Sequence, residues 1–187
     1  MQGAESVFTY PNLLTLARLG LTPLFVIAVL NNEWSVANVI FICAILTDVL
    51  DGILARGWNQ RTQLGAYLDP IADKFLVSLS LIVLFYKSML PLWLLAVVIG
   101  RDFLIVVGVV LYLALMGRWL LIRPTVLGKF TTLLQFILIF CLIMHANGYL
   151  GSEHLWLIEY AAGATTVVAF LHYSFIWLRE VKVCQLQ

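Results

Sequence analysis

Six long apolar runs, at roughly 12–31, 35–56, 66–87, 91–116, 126–147 and 153–178, leave this chain few folds to choose from. A helix needs about 20 mostly apolar residues to cross the hydrocarbon core of a bilayer. No water is available there, so a crossing segment must satisfy its own backbone N–H and C=O groups, and runs of this length are therefore helices. The mean hydropathy is +1.00 and 11% of the 187 residues are charged, too few to cover a water-soluble domain of this size. The expected architecture is all-α and polytopic. It comprises six transmembrane helices with short connections and a single membrane domain over residues 1–187.

The placement of Lys and Arg orients it. The even-numbered connections carry Arg56 and Arg61, then Arg118, Arg123 and Lys129, and the C-terminal tail adds Arg179 and Lys182. The odd-numbered connections carry only Lys87, so both termini are expected in the cytoplasm. The first eleven residues hold no Lys or Arg and do not resemble a signal or transit peptide, which points to a bacterial plasma (inner) membrane. Cys43, Cys141 and Cys184 fit no metal-ligand spacing and read as packing residues. The net charge of +1 gives no ground for a nucleic-acid partner; membrane lipids are the expected surroundings of the cytoplasmic cations.

Against this apolar background stands the stretch TDVLDGILARGWNQRTQLGAYLDPIADK, residues 47–74, with Asp48, Asp51, Asp69 and Asp73. Ionisable residues at membrane depth are costly and are functional by default. Asp48 and Asp51 are spaced i, i+3 and Asp69 and Asp73 i, i+4, so each pair occupies one helix face. If the two helices are antiparallel neighbours, the faces meet just inside the cytoplasmic surface. Four converging carboxylates cannot all stay ionised without cations. Either some hold protons, as in a relay, or hard divalent cations neutralise them. Paired metals about 3.5–4 Å apart polarise phosphates and activate oxygen nucleophiles elsewhere.

The intervening residues favour phosphate. Gly52 and Gly65 each weaken a helix by about 1 kcal/mol and so point to packing or access, and Ala55 extends the small-residue face. Arg56 is placed to reach a phosphate oxygen at the helix end. Plainer readings exist for each residue singly: close helix packing for Gly52 and Ala55, loop charge for Arg56, an ion pair with Lys74 for Asp73. None accounts for the whole set.

The pattern D-x2-D-G-x2-A-R-x8-G-x3-D-x3-D, met here by Asp48, Asp51, Gly52, Ala55, Arg56, Gly65, Asp69 and Asp73, resembles the signature of the CDP-alcohol phosphotransferases. The resemblance extends over nearly the whole chain through the six-span layout. It implies an integral membrane enzyme, usually a homodimer, that displaces CMP from CDP-diacylglycerol at a site open to the cytoplasm. It also implies that Asp48, Asp51, Asp69 and Asp73 bind Mg²⁺ or Mn²⁺, as two ions, with Asp73 also the general base toward the acceptor hydroxyl. Gly52, Ala55, Arg56 and Gly65 would line the cytidine diphosphate site. Asn12, after Pro11, is either a helix cap or a nucleotide contact.

The acceptor is set by the branch of the family. YPNLLTLARL, residues 10–19, and GAYLDPIADK, residues 65–74, resemble both phosphatidylglycerophosphate synthases and eukaryotic-type cardiolipin synthases. The former typically carry Arg-Glu in the fourth span and a second arginine farther along the same face; this chain has Arg101-Asp102 and then Val109. Glycerol 3-phosphate is a dianion that calls for basic side chains. Fewer of them fit a phosphodiester such as phosphatidylglycerol, which would give cardiolipin. RPTVLGKFTTLLQ, residues 123–135, and HYSF, residues 172–175, also resemble the cardiolipin synthase branch. Glycerol 3-phosphate remains the alternative acceptor.

Arg101, Lys129 and Arg18 are the candidate acceptor contacts. Arg101 is otherwise a buried ion pair with another span, and Arg18 needs a polar partner, substrate phosphates being one candidate. A reading from another class is a divalent-cation transporter. The aspartates gather at one end of two spans, however, and no inverted repeat with interrupted helices is present.

Overall fold

The computed structural model describes residues 10–57, 63–116 and 126–185, with side chains described for 13–50, 72–108 and 126–175. The described residues form six α-helices and no strand: α1 (Tyr10–Leu30), α2 (Trp34–Gly57), α3 (Gln63–Tyr86), α4 (Leu92–Met116), α5 (Val126–Ala146) and α6 (Leu155–Gln185). A single 3₁₀ turn, Ser152–His154, leads into α6. Each helix matches an apolar run from the sequence, α6 continuing past its run to Gln185. Among the described residues three segments are long and apolar enough to cross a membrane: Leu13–Leu30, Val126–Ala146 and Ser152–Phe175. The described apolar part of α2, Trp34–Leu50, is shorter.

The chain divides into two compact units. The first contains α1, α2, α3, the end of α5 from Ile139 and the turn that follows it to Leu150. Within it α1 packs along both α2 and α3. Large side chains fill the interior, among them Phe25, Val29, Phe41, Leu76, Leu81 and Leu84, all fully buried. Phe25 of α1 meets Phe41 of α2 with ring centroids 5.5 Å apart and planes tilted by 41°, a separation at which aromatic quadrupoles attract.

Polar side chains close one end of this unit. The Lys87 ammonium donates to the Leu30 carbonyl and to Asn32 Oδ1, both at 2.8 Å. It thereby satisfies one of the carbonyls that the end of α1 leaves without a helical partner. Asn32 turns the chain with φ 62°, a left-handed conformation that asparagine tolerates better than most residues. The Ser35 hydroxyl bonds Asn147 Oδ1 at 2.9 Å, tying α2 to the turn after α5.

The second unit contains α4, residues 126–138 of α5, the 3₁₀ turn and α6. Hydrogen bonds join α5 to α6: Gln135 Nε2 donates to Thr166 Oγ1 at 3.3 Å, and Thr131 Oγ1 to the Thr165 carbonyl at 3.3 Å. Thr131, Gln135 and Thr166 are all buried. Such bonds hold membrane helices together where lipid supplies no hydrophobic drive for association. Between α4 and α6 the contact depends on a glycine. The Trp93 ring lies where a side chain at Gly163 would be, and a Cβ there would stand 2.5 Å from Trp93 Cζ3. Trp93 also stacks on Tyr160, with centroids 5.2 Å apart and planes 24° from parallel.

Gly163→Ala must push this indole off its seat, which should cost about 1–3 kcal/mol. Thermal unfolding of the purified protein in detergent measures this. Trp93→Leu in the same chain should relieve most of the penalty, because the clashing ring atoms are then gone.

Candidate functional site

The site is built where three helices of the first unit bring charge into an apolar interior. Arg18 lies on the third turn of α1, and its side chain is wholly buried. The apolar residues around it on α1 leave it no solvent, so its guanidinium must find anions within the protein. It finds two. Nη1 lies 3.0 Å from Asp48 Oδ1 of α2 and 2.5 Å from Asp73 Oδ1 of α3. The two carboxylate oxygens are thus no farther apart than the sum of those distances. The aspartate side chains are 34% and 32% exposed, so the carboxylates reach outward while the cation beneath them does not.

The local backbone of α1 follows from its sequence. Pro23 has no N–H to give to the Leu19 carbonyl. One residue earlier, the Thr22 hydroxyl bonds the Arg18 carbonyl at 2.9 Å. A buried hydroxyl is satisfied in this way, within its own helix.

The acidic faces of α2 and α3 converge at Asp48 and Asp73. Among the described residues α1 contacts both α2 and α3 extensively, whereas α2 and α3 touch each other little at most. α1 contributes a cation that offsets carboxylate repulsion. Asp51 lies one turn beyond Asp48 on α2, and Asp69 one turn before Asp73 on α3. The side chains of Asp51, Gly52, Ala55, Arg56, Gly65, Asp69 and Asn12 are outside the described residues, as are those of Val109 and Arg179. No group of three or more His, Cys, Asp or Glu side chains placed to hold a metal occurs among the described residues.

In the second unit Arg101 of α4 pairs with its own neighbour, Nη1 lying 3.0 Å from Asp102 Oδ1, rather than with an acid on another span. The Arg101 side chain is 10% exposed, and its guanidinium carbon lies 5.8 Å from the centre of the Tyr173 ring on α6. Arg101 Nε is buried with no hydrogen-bond partner among the described residues. Lys129 on α5 is exposed, and so is His172 on α6. His145 donates from Nδ1 to the Leu150 carbonyl at 2.8 Å, a turn-closing bond well suited to a structural residue. The sequence indicated that Arg18 needs a polar partner; that two of the motif aspartates are that partner was not legible, because no spacing rule links α1 to α2 and α3.

Comparison with known proteins places this arrangement. The family model for CDP-alcohol phosphatidyltransferase matches residues 8–176. The chain belongs to the CDP-alcohol phosphatidyltransferase family. Among curated members, a cardiolipin synthase (CMP-forming) of Rattus norvegicus is 33% identical over 96% of this chain and 65% of its own length. A CDP-diacylglycerol–glycerol-3-phosphate 3-phosphatidyltransferase of Bacillus subtilis is 38% identical over 74% of this chain and 78% of its own. The Escherichia coli (strain K12) protein of the same name is 36% identical over 87% of both chains. The chain thus spans just under two thirds of the length of the cardiolipin synthases it matches. Its similarity covers a larger share of the two bacterial proteins.

Asp48→Asn and Asp73→Asn should each lower stability by about 1–2 kcal/mol, because the other carboxylate still neutralises Arg18. The double variant should lose more than the sum of the two, since it strips both carboxylates from a buried cation. Thermal unfolding in detergent with a chelator present reads this coupling.

Proposed function

We propose that the protein transfers a phosphatidyl group from CDP-diacylglycerol to a hydroxyl of phosphatidylglycerol, yielding cardiolipin and CMP. The observation that carries the reading is the meeting of Asp48 and Asp73, from two different helices, inside the full motif spacing of the family. The acceptor oxygen attacks the phosphorus that bears the diacylglycerol. The bond from that phosphorus to the bridging oxygen breaks, and CMP leaves with the bonding electrons. The hydroxyl proton passes to the Asp73 carboxylate, which lies within the outward-reaching pair.

The donor set fits Mg²⁺ or Mn²⁺: carboxylates are hard oxygen ligands, and two of them already stand within one guanidinium's reach. Asp48, Asp51, Asp69 and Asp73 would hold the two ions, which when bound would stabilise negative charge on the diphosphate and the departing CMP. Gly52, Ala55 and Gly65 leave room for the cytidine diphosphate, with Arg56 and Asn12 beside it. Arg101, with its buried and unbonded Nε, is the contact for the acceptor's phosphate, and exposed Lys129 is a second. Six membrane crossings, both termini in the cytoplasm, a site at the cytoplasmic leaflet and a homodimeric assembly complete the proposal. The distribution of Lys and Arg supports that orientation.

A second reading is favoured by a specific observation. The Bacillus subtilis and Escherichia coli proteins similar to this chain are named for transfer to glycerol 3-phosphate. Val109, where a second arginine would help to hold that dianion, speaks for phosphatidylglycerol. Family membership also favours transfer over an ion path through the aspartates.

CMP release from CDP-diacylglycerol, with Mn²⁺ or Mg²⁺ and one acceptor at a time, separates these readings. Phosphatidylglycerol is expected to support turnover and glycerol 3-phosphate to support at most a small fraction of it. The reverse preference establishes the second reading, and no CMP with any alcohol removes the enzyme reading altogether. Asp73→Asn should retain most Mn²⁺ binding while lowering turnover by at least about 10²-fold, the lower range for loss of a general base. A loss of Mn²⁺ affinity as large as that of Asp48→Asn would count against a separate role as base.

A further inference from the structure

We infer that Arg18 is a built-in counter-ion that shares Asp48 and Asp73 with the bound divalent cation and holds its affinity down; this rests on the metal-dependent reading above. Three observations carry it. The Arg18 side chain is wholly buried, so its charge cannot be hydrated in place of the carboxylates. One nitrogen, Nη1, serves both Asp48 and Asp73 rather than one of them. Arg18 sits on a helix that bears no motif residue of the aspartate signature, yet its cation lies between the two helices that do.

The consequence follows from charge. With Arg18 beneath them, the two carboxylates carry a net charge of one rather than two toward any cation arriving from the exposed side. A guanidinium close to a divalent ion also repels it through an interior of low dielectric. Removing the guanidinium charge therefore acts twice in the same direction. It removes the repulsion, and it leaves two facing carboxylates whose mutual repulsion a bound divalent cation relieves. Loss of a residue that merely holds the fold would have the opposite effect, loosening the carboxylates and weakening metal binding. For turnover, a weakly held cation suits a site that must bind and release a cation-chelating diphosphate substrate and CMP in every cycle.

The test is Mn²⁺ binding to the purified full-length protein in detergent, followed by the loss of the free-ion electron paramagnetic resonance signal, together with the rise in unfolding temperature on adding Mn²⁺. Arg18→Gln should bind Mn²⁺ about tenfold or more tightly than the unaltered protein and gain more thermal stability from it, because binding energy is returned as stability. Arg18→Met also removes the charge and should shift affinity by a similar factor in the same direction. It is read alone if Arg18→Gln fails to fold. Equal or weaker Mn²⁺ binding in the readable variant, with binding in the unaltered protein intact, overturns the role of Arg18 and leaves the proposed reaction standing. Absence of saturable Mn²⁺ binding in the unaltered protein overturns the metal-dependent reading and this inference with it.

Discussion

A guanidinium with no access to solvent governs how the first three helices come together. Placing an arginine in the middle of a membrane helix costs at least ~2.5 kcal/mol on insertion scales, and more where no water reaches it. Among the described residues, Arg18 offsets that cost through Asp48 and Asp73, which arrive on α2 and α3. The same contact serves the acids, since two carboxylates this close repel one another unless a cation lies between them. Apolar packing of Phe25, Val29 and Phe41 brings the helices together without choosing a rotation for each. The ion bridge chooses it, because only one face of each helix carries the matching charge.

The second unit shows how a membrane-embedded fold is specified without such a bridge. Gly163 admits the Trp93 ring, and Thr131, Gln135 and Thr166 link α5 to α6 by hydrogen bonds. Shape and a few polar contacts replace charge, as expected where lipid is as apolar as the side chains it meets. Arg101 is handled differently again. Its counter-ion is Asp102 on the same helix, with the Tyr173 face supplying further electrostatic stabilisation. That pair engages Nη1 and does not involve Nε.

Much of this was legible in the order of residues. The helices lie where the apolar runs lie, because length and composition alone decide what can cross a bilayer. The spacing of Asp48, Asp51, Asp69 and Asp73 carried the family resemblance that the family model matches over residues 8–176. The need of Arg18 for a partner was also readable, as a charge in an apolar segment. Its partners were not: i, i+3 and i, i+4 rules relate residues within a helix and are silent between helices. For Arg101 the residue order allows an acceptor contact or an ion pair with another span; the described structure shows its pair with the adjacent Asp102. Gly163 drew no notice, since a helical glycine becomes informative only when the ring that fills its space is known.

The sequence by itself determined the number and extent of the helices and the faces on which acid would appear, because hydrophobic length and helical period are local properties of the chain. Only the tertiary structure decided that α1 packs on both α2 and α3 and that a buried arginine joins Asp48 to Asp73. Several helix pairings bury the apolar faces equally well. The one adopted also neutralises a charge that the low-dielectric interior would not otherwise tolerate.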